Sequence, residues 1–66
     1  MPELTDKQCE AISALALSNM NIAKAARACR IGRGPFLARL ERIQRKTGLD
    51  PFDFFELHEL YEMAGS

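Results

Sequence analysis

Apolar residues recur at spacings of three and four in four separate stretches of this chain, and each repeat predicts an amphipathic helix. The first helix is expected to be capped by Thr5, because a threonine followed three residues later by Gln8 can form a capping box. It should end near Ser18, where the apolar repeat stops. Its predicted inward face consists of Ala11, Ile12, Leu15 and Ala16.

The stretch that follows predicts a second helix and then a tight turn. Asn21 can accept a hydrogen bond from the free N–H groups of the first helical turn, so it is a suitable cap. The small side chains of Ala25 and Ala26 would let another helix backbone approach closely, as a helix-turn-helix requires. The turn itself is expected at Arg30, Ile31 and Gly32.

A third helix is expected to begin around residues 33–35 and to end at Thr47, with Gly48 in the left-handed position after it. Its apolar stripe consists of Phe36, Leu40 and Ile43. The predicted fold is therefore all-α, with a tri-helical helix-turn-helix core and a C-terminal fourth helix.

The fourth helix is predicted to begin directly after Asp50, with Pro51 at its first position. It is apolar on two sides. We expect one side, which packs on the three-helix core, to consist of Phe54, Leu57, Tyr61 and Ala64. Since so short a chain seldom builds enough core alone, we hypothesise that the other side forms a two-fold homodimer contact through Phe52, Phe55 and Met63. The alternative is that both sides are covered within one chain.

Length and charge refine this picture. Residues 1–66 suffice for a single domain, and the apolar fraction of 47% is ordinary for a globular protein. The formal net charge is zero, but residues 1–18 carry −2, residues 19–49 carry +7 and residues 50–66 carry −5. Such segregation predicts a basic face for a polyanion, although the charges could also neutralise one another within the fold.

Other classes of function find little support. No apolar run is long enough to cross a membrane, and the first residues lack a leader pattern, so we expect a cytoplasmic protein. Cys9 and Cys29 are expected to be reduced and buried. His58 is the only histidine and has no nucleophile beside it, and no zinc spacing or phosphate loop is present. We expect no enzyme activity, no metal, no cofactor and no small-molecule effector.

Residues 22–49 resemble the C-terminal helix-turn-helix of bacterial transcription factors of the PucR and sugar-diacid-regulator type, of which the C-terminal domain of Fis is a wider relative. The residues that carry the resemblance are Ala25-Ala26, Ile31, Arg33, Leu40-Glu41-Arg42-Ile43 and Lys46-Thr47-Gly48-Leu49-Asp50. The resemblance extends over roughly residues 10–62. It implies that the third helix lies in the major groove of double-stranded DNA.

The resemblance, together with the helical pattern, assigns the contacts. Arg33 matches the family arginine and is expected to bind a guanine or a phosphate. Five further cations are expected to hold phosphates: Lys24, Arg39, Arg42, Arg45 and Lys46. Gly34 and Ala38 lie where base edges would be met, yet neither can form a bidentate hydrogen bond. The sequence thus predicts a transcriptional regulator that anchors on DNA more than it reads bases. The alternative is a helix-turn-helix scaffold that has become a protein-interaction module.

Overall fold

The computed structural model describes residues 4–65 and contains four helices in that range. They are α1 (Asp6–Leu17), α2 (Ile22–Ala28), α3 (Arg33–Thr47) and α4 (Phe54–Gly65). The predicted all-α class and the four helices are confirmed. The first three residues, on which the expectation of no leader depends, lie outside the described part.

Helix α1 is the centre of the fold, because it packs against each of the other three helices. Helices α2 and α3 also pack on each other, whereas α4 packs on α1 alone within residues 4–65. The outer surfaces of α2 and α3 are therefore not covered by another described helix.

The predicted caps form as the sequence indicates. Thr5 N–H donates to Gln8 Oε1 at 3.0 Å, and Gln8 N–H donates to Thr5 Oγ1 at 3.1 Å, which completes the capping box of α1. Asn21 Oδ1 accepts from Lys24 N–H at 3.1 Å at the start of α2. Gly48 ends α3 with a φ of 76°, a left-handed conformation that glycine adopts without a Cβ clash.

Helices α1 and α2 end in the same way. Met20 N–H donates to Leu15 O at 2.9 Å, and Ile31 N–H donates to Ala26 O at 3.1 Å; in each case the bond closes a Schellman motif. The motif places one residue in the left-handed region, Asn19 at φ 54° in the first case and Arg30 at φ 59° in the second. For L-residues this region costs about 1–2 kcal/mol, and asparagine is among the few that visit it routinely.

The core lies where the helices converge on α1. Its buried members come from all four helices: Ala11, Ile12, Leu15, Ala25, Ala26, Phe36, Leu40, Ile43, Leu57 and Leu60. The predicted stripe of α3 is completely buried, and full burial of each such large side chain is worth about 1.5–3 kcal/mol. Because the α2 face consists of alanines, α2 can pack closely against its neighbours.

The start of α4 differs from the prediction. The helix begins at Phe54, and Asp53 Oδ2 accepts from Glu56 N–H at 3.0 Å, so Asp53 is the capping residue. Asp50 instead forms a turn, in which its Oδ1 accepts from Phe52 N–H at 2.9 Å and its carbonyl accepts from Asp53 N–H at 3.1 Å. Glu56 Oε1 accepts from Asp50 N–H at 3.1 Å, which fixes this turn against the first turn of α4.

The buried side of α4 also differs in part. Leu57 and Leu60 are buried and Tyr61 is half-buried, but Phe54 is 64% exposed and does not belong to the core as predicted. Phe54 lines an open groove together with Ala16 and Leu17 at the end of α1, so much of its ring stays accessible. Ala64, the other predicted member of this side, is half-buried. Phe52, Phe55 and Met63, which were predicted to form the opposite side, are all exposed, so that side is not covered within residues 4–65.

Candidate nucleic-acid interface

The outer face of α3 lies opposite its buried stripe and carries both cations and bare backbone. At 100° per residue, Gly34, Ala38, Arg42 and Arg45 fall on this side, and all four are exposed. A Cβ built on Gly34 would meet no atom within 4 Å, so the space in front of the first turn is open. This face combines positive charge with room for close approach of another backbone. Glu41, the one acid of the basic segment, falls on the same side and is also exposed.

Two of the predicted cations on α3 lie away from this open side, Arg39 near the end of α2 and Lys46 near the start of α1. Arg39 is half-buried and lies close enough to Cys29 to influence the thiol. Lys46 is exposed, but its Nζ donates to Gln8 Oε1 at 3.2 Å. Because the glutamine side chain is neutral, this hydrogen bond does not offset the positive charge of Lys46. It does fix the ammonium group beside the start of α1. Arg39 and Lys46 therefore lie at the edge of the interface, and Arg42 and Arg45 lie on its outer side.

The first turn of α3 and the helix before it supply further exposed cations. Lys24 and Arg33, both predicted from the sequence, are exposed. Arg27 and Arg30 are exposed as well and were not assigned to the site from the sequence. The signal that could have identified them is their spacing, since residues 27, 30 and 33 carry arginine at every third position.

None of the lysine and arginine side chains in the described part of the chain forms an ion pair with a carboxylate. On α4, His58 Nε2 lies 3.0 Å from Glu62 Oε1, and both side chains are largely exposed. The cations of α2 and α3 are thus not neutralised by direct contact with the chain's own acids. Within residues 4–65, the lysines and arginines therefore do not pair with the acids, contrary to the alternative that the charges neutralise one another within the fold.

Cys29 lies beneath the edge of this interface. It is a free thiol, and its Sγ is 3.9 Å from the carbonyl oxygen of Glu10. Burial raises the pKa of the Cys29 thiol above its ordinary value of 9.0, the Glu10 carboxylate raises it further, and Arg39 acts in the opposite direction. The thiol is therefore neutral at physiological pH. Cys9 is also free, and both cysteines are half-buried, so they are less enclosed than predicted.

An apolar groove opens between the end of α1 and the start of α4. Its volume is about 320 Å³, and it is lined by Ala16, Leu17, Asn19, Met20, Phe54, Leu57, His58 and Tyr61. Leu17, which lines the groove, is 74% exposed. Phe55, which follows the lining residue Phe54 in sequence, is 75% exposed. The rings of Phe54 and Phe55 meet edge to face, with centroids 5.4 Å apart. No residue of α3 lines this groove, and α3 does not pack on α4.

No group of three or more histidine, cysteine, aspartate or glutamate side chains in residues 4–65 is arranged to hold a metal ion. None of the helices described there is long and apolar enough to span a membrane.

Three helices around one core, with small residues on the buried face of α2, a four-residue turn between α2 and α3 and an uncovered cationic face on α3, define the helix-turn-helix class. The family model of the PucR C-terminal helix-turn-helix domain matches residues 9–63. The chain therefore belongs to this family, which indicates a DNA-binding regulator and is typically non-enzymatic. A search of curated proteins found no match, and a search of solved structures found none either.

Proposed function

We propose that this protein regulates transcription by placing α3 in the major groove of double-stranded DNA, with most contacts made to phosphates. The observation that carries this proposal is the set of unpaired cations on α2 and α3, which no other described helix covers. Arginine and lysine in this arrangement attract the DNA backbone whatever its sequence. The family membership supports the same class of partner.

The exposed residues suggest distinct roles. Arg33, at the first position of α3, is placed to bind a guanine edge or a phosphate. Gly34 and Ala38 leave the helix backbone close to the groove floor, where Ala38 can touch a thymine methyl group. The phosphate contacts are assigned to Lys24, Arg39, Arg42, Arg45 and Lys46. With so few base-reading groups, specificity would depend largely on DNA shape.

The proposal includes a homodimer formed through α4. Phe52, Phe55 and Met63 are 44%, 75% and 45% exposed, as a contact surface requires. Together with Leu17, the exposed parts of Phe54 and Phe55 amount to roughly 400 Å² of apolar surface, if a free aromatic side chain exposes roughly 200 Å². That is about half of what each partner buries in a standard interface. In a two-fold dimer the second copy would bury the same area again, so residues around these side chains would have to contribute the other half of a standard interface. Phe55 of one copy lies beside a groove that Phe55 of the other copy could enter.

The second candidate function is a protein-interaction module, and the apolar groove favours it. A partner helix with an apolar stripe could lie along Leu17 and Phe54 without involving α3. In that case the cations of α3 would be a solvated surface and α4 would be the functional element.

An NMR titration of the chain with a mixed-sequence duplex separates these functions. The proposal expects amide shifts clustered within residues 24–46, and the shifts should weaken as salt is added. Shifts confined to residues 51–64, or none at low salt, would overturn DNA binding through α3. Sedimentation of the free chain tests the dimer separately: a monomeric mass for wild type at low micromolar concentration overturns it, and replacement of Phe55 by serine should convert a dimer into a monomer.

A further inference from the structure

The turn between α2 and α3 holds an arginine in a conformation that L-residues adopt at a cost. Arg30 has a φ of 59° and occupies the left-handed position of the Schellman motif at the end of α2. Glycine is the usual occupant of such a position because it has no Cβ. A strained backbone at an exposed site raises the question of what the side chain does there.

The other left-handed residues of the described chain have evident compensation. Asn19 occupies the same position at the end of α1, and asparagine tolerates this region. Met20 is half-buried, packs against the core and lines the groove, so its side chain contributes packing. Arg30 is exposed, and its side chain forms no hydrogen bond or ion pair within residues 4–65. In that range the weak dipole of the seven-residue α2 favours a cation at this point.

The position of Arg30 suggests the missing partner. It lies between two other exposed arginines, Arg27 in the last turn of α2 and Arg33 in the first turn of α3. The three arginines occupy every third position across the turn that leads into α3. A guanidinium at that point can form two parallel hydrogen bonds to one phosphate.

We propose that Arg30 is a DNA-binding residue that holds a backbone phosphate beside the start of α3. This inference rests on the proposed function and adds to it a contact in the turn. The contact with the phosphate would offset the free-energy cost of the left-handed backbone, which nothing in residues 4–65 offsets. Glycine at this position would make the fold more stable but lower the affinity for DNA.

Glycine substitution at the two equivalent positions tests this. Arg30→Gly should raise the melting temperature by about 4–8 °C, the shift expected when one strained residue is relieved in a domain of this size. It should also weaken binding to a mixed-sequence duplex about eightfold at 0.1 M salt and reduce the log–log salt slope by about 0.9. Asn19→Gly, the matched control, should raise the melting temperature less and leave DNA affinity unchanged. Arg30→Lys should retain most of the affinity.

The outcomes distinguish the two levels of the argument. If wild type binds DNA and Arg30→Gly binds equally well, the assignment of Arg30 is overturned while the proposed function stands. The same holds if Asn19→Gly weakens binding as much as Arg30→Gly does. If wild type does not bind at low salt, the proposed function fails and Arg30 has no role to explain.

Discussion

Replacement of both Arg42 and Arg45 by glutamine tests the outer face of α3 most directly. Both side chains are exposed, and neither has an ion-pair partner among the described residues. Glutamine is a good helix former, so the free energy of unfolding should change by less than about 0.5 kcal/mol. A loss of DNA affinity in this variant would therefore report on lost contacts and not on lost structure.

The size of the effect follows from counterion release. Each phosphate that a cation neutralises adds about 0.9 to the slope of log affinity against log salt. With about five such contacts, the wild-type slope should be on the order of −4, and the double variant should be on the order of −2. At 0.1 M salt the same two contacts correspond to a loss of about 60-fold in affinity, and the difference should shrink towards 1 M salt.

Fluorescence anisotropy with a labelled duplex at several salt concentrations measures both quantities. Lys7→Gln is the matched control, because Lys7 is exposed on α1 and lies outside the basic segment. This single variant should bind within about twofold of wild type, since it removes a charge without removing a phosphate contact. An unchanged slope in the double variant would refute the assignment of this face. An equal loss per charge in the control would show that overall charge, and not α3, governs the affinity.

Three further predictions follow. Glu41→Gln should tighten DNA binding by up to about fivefold at low salt, since it removes surface repulsion worth on the order of 1 kcal/mol or less, and anisotropy at low and high salt checks this. Asp53→Ala should lower stability by about 1 kcal/mol in a thermal melt because α4 loses its cap, whereas Asp53→Asn should retain most of it. The raised pKa of Cys29 favours the neutral thiol in the folded state, so this contribution is complete below pH 9.0 and is lost as pH rises through the raised value. Urea unfolding of wild type against Cys29→Ala should show this decline in wild type only.

Local rules were sufficient wherever a cap depends on residues three positions apart. Thr5 with Gln8, Asn21 with Lys24 and the glycine at position 48 were predicted because their partners are close in sequence. The predicted start of α4 was wrong because two aspartates, at positions 50 and 53, can each cap a helix. The choice depends on Glu56, which reaches back to the Asp50 N–H and holds the first aspartate in a turn.

Errors that concern packing have a different origin. The repeat places Phe54 near Leu57 and Tyr61, but how deeply it is buried depends on how α4 sits against α1, and the spacing of apolar residues does not give that arrangement. Similarly, the charge partition indicated a basic site, but not that Lys46 would turn to Gln8 on α1. The left-handed conformation of Arg30 could not be predicted from the sequence, because glycine and asparagine are the residues that usually indicate such a position.

The placement of α4 explains how a chain with zero net charge can present itself to DNA as a cation. Glu56, Glu59 and Glu62 lie on a helix that packs on α1 and, among residues 4–65, not on α2 or α3. The molecule measures 29 × 19 × 19 Å, and the Debye length at 0.1 M salt is about 10 Å. Over such a distance salt largely screens the repulsion between the acids of α4 and DNA bound at α3. It screens the attraction between the cations of α3 and phosphates in direct contact with them much less. At 0.01 M salt the Debye length grows to about 30 Å, and the acids should then repel DNA across the whole molecule. The plot of log affinity against log salt should therefore flatten at the lowest salt, and a variant with its α4 glutamates neutralised should remain linear there.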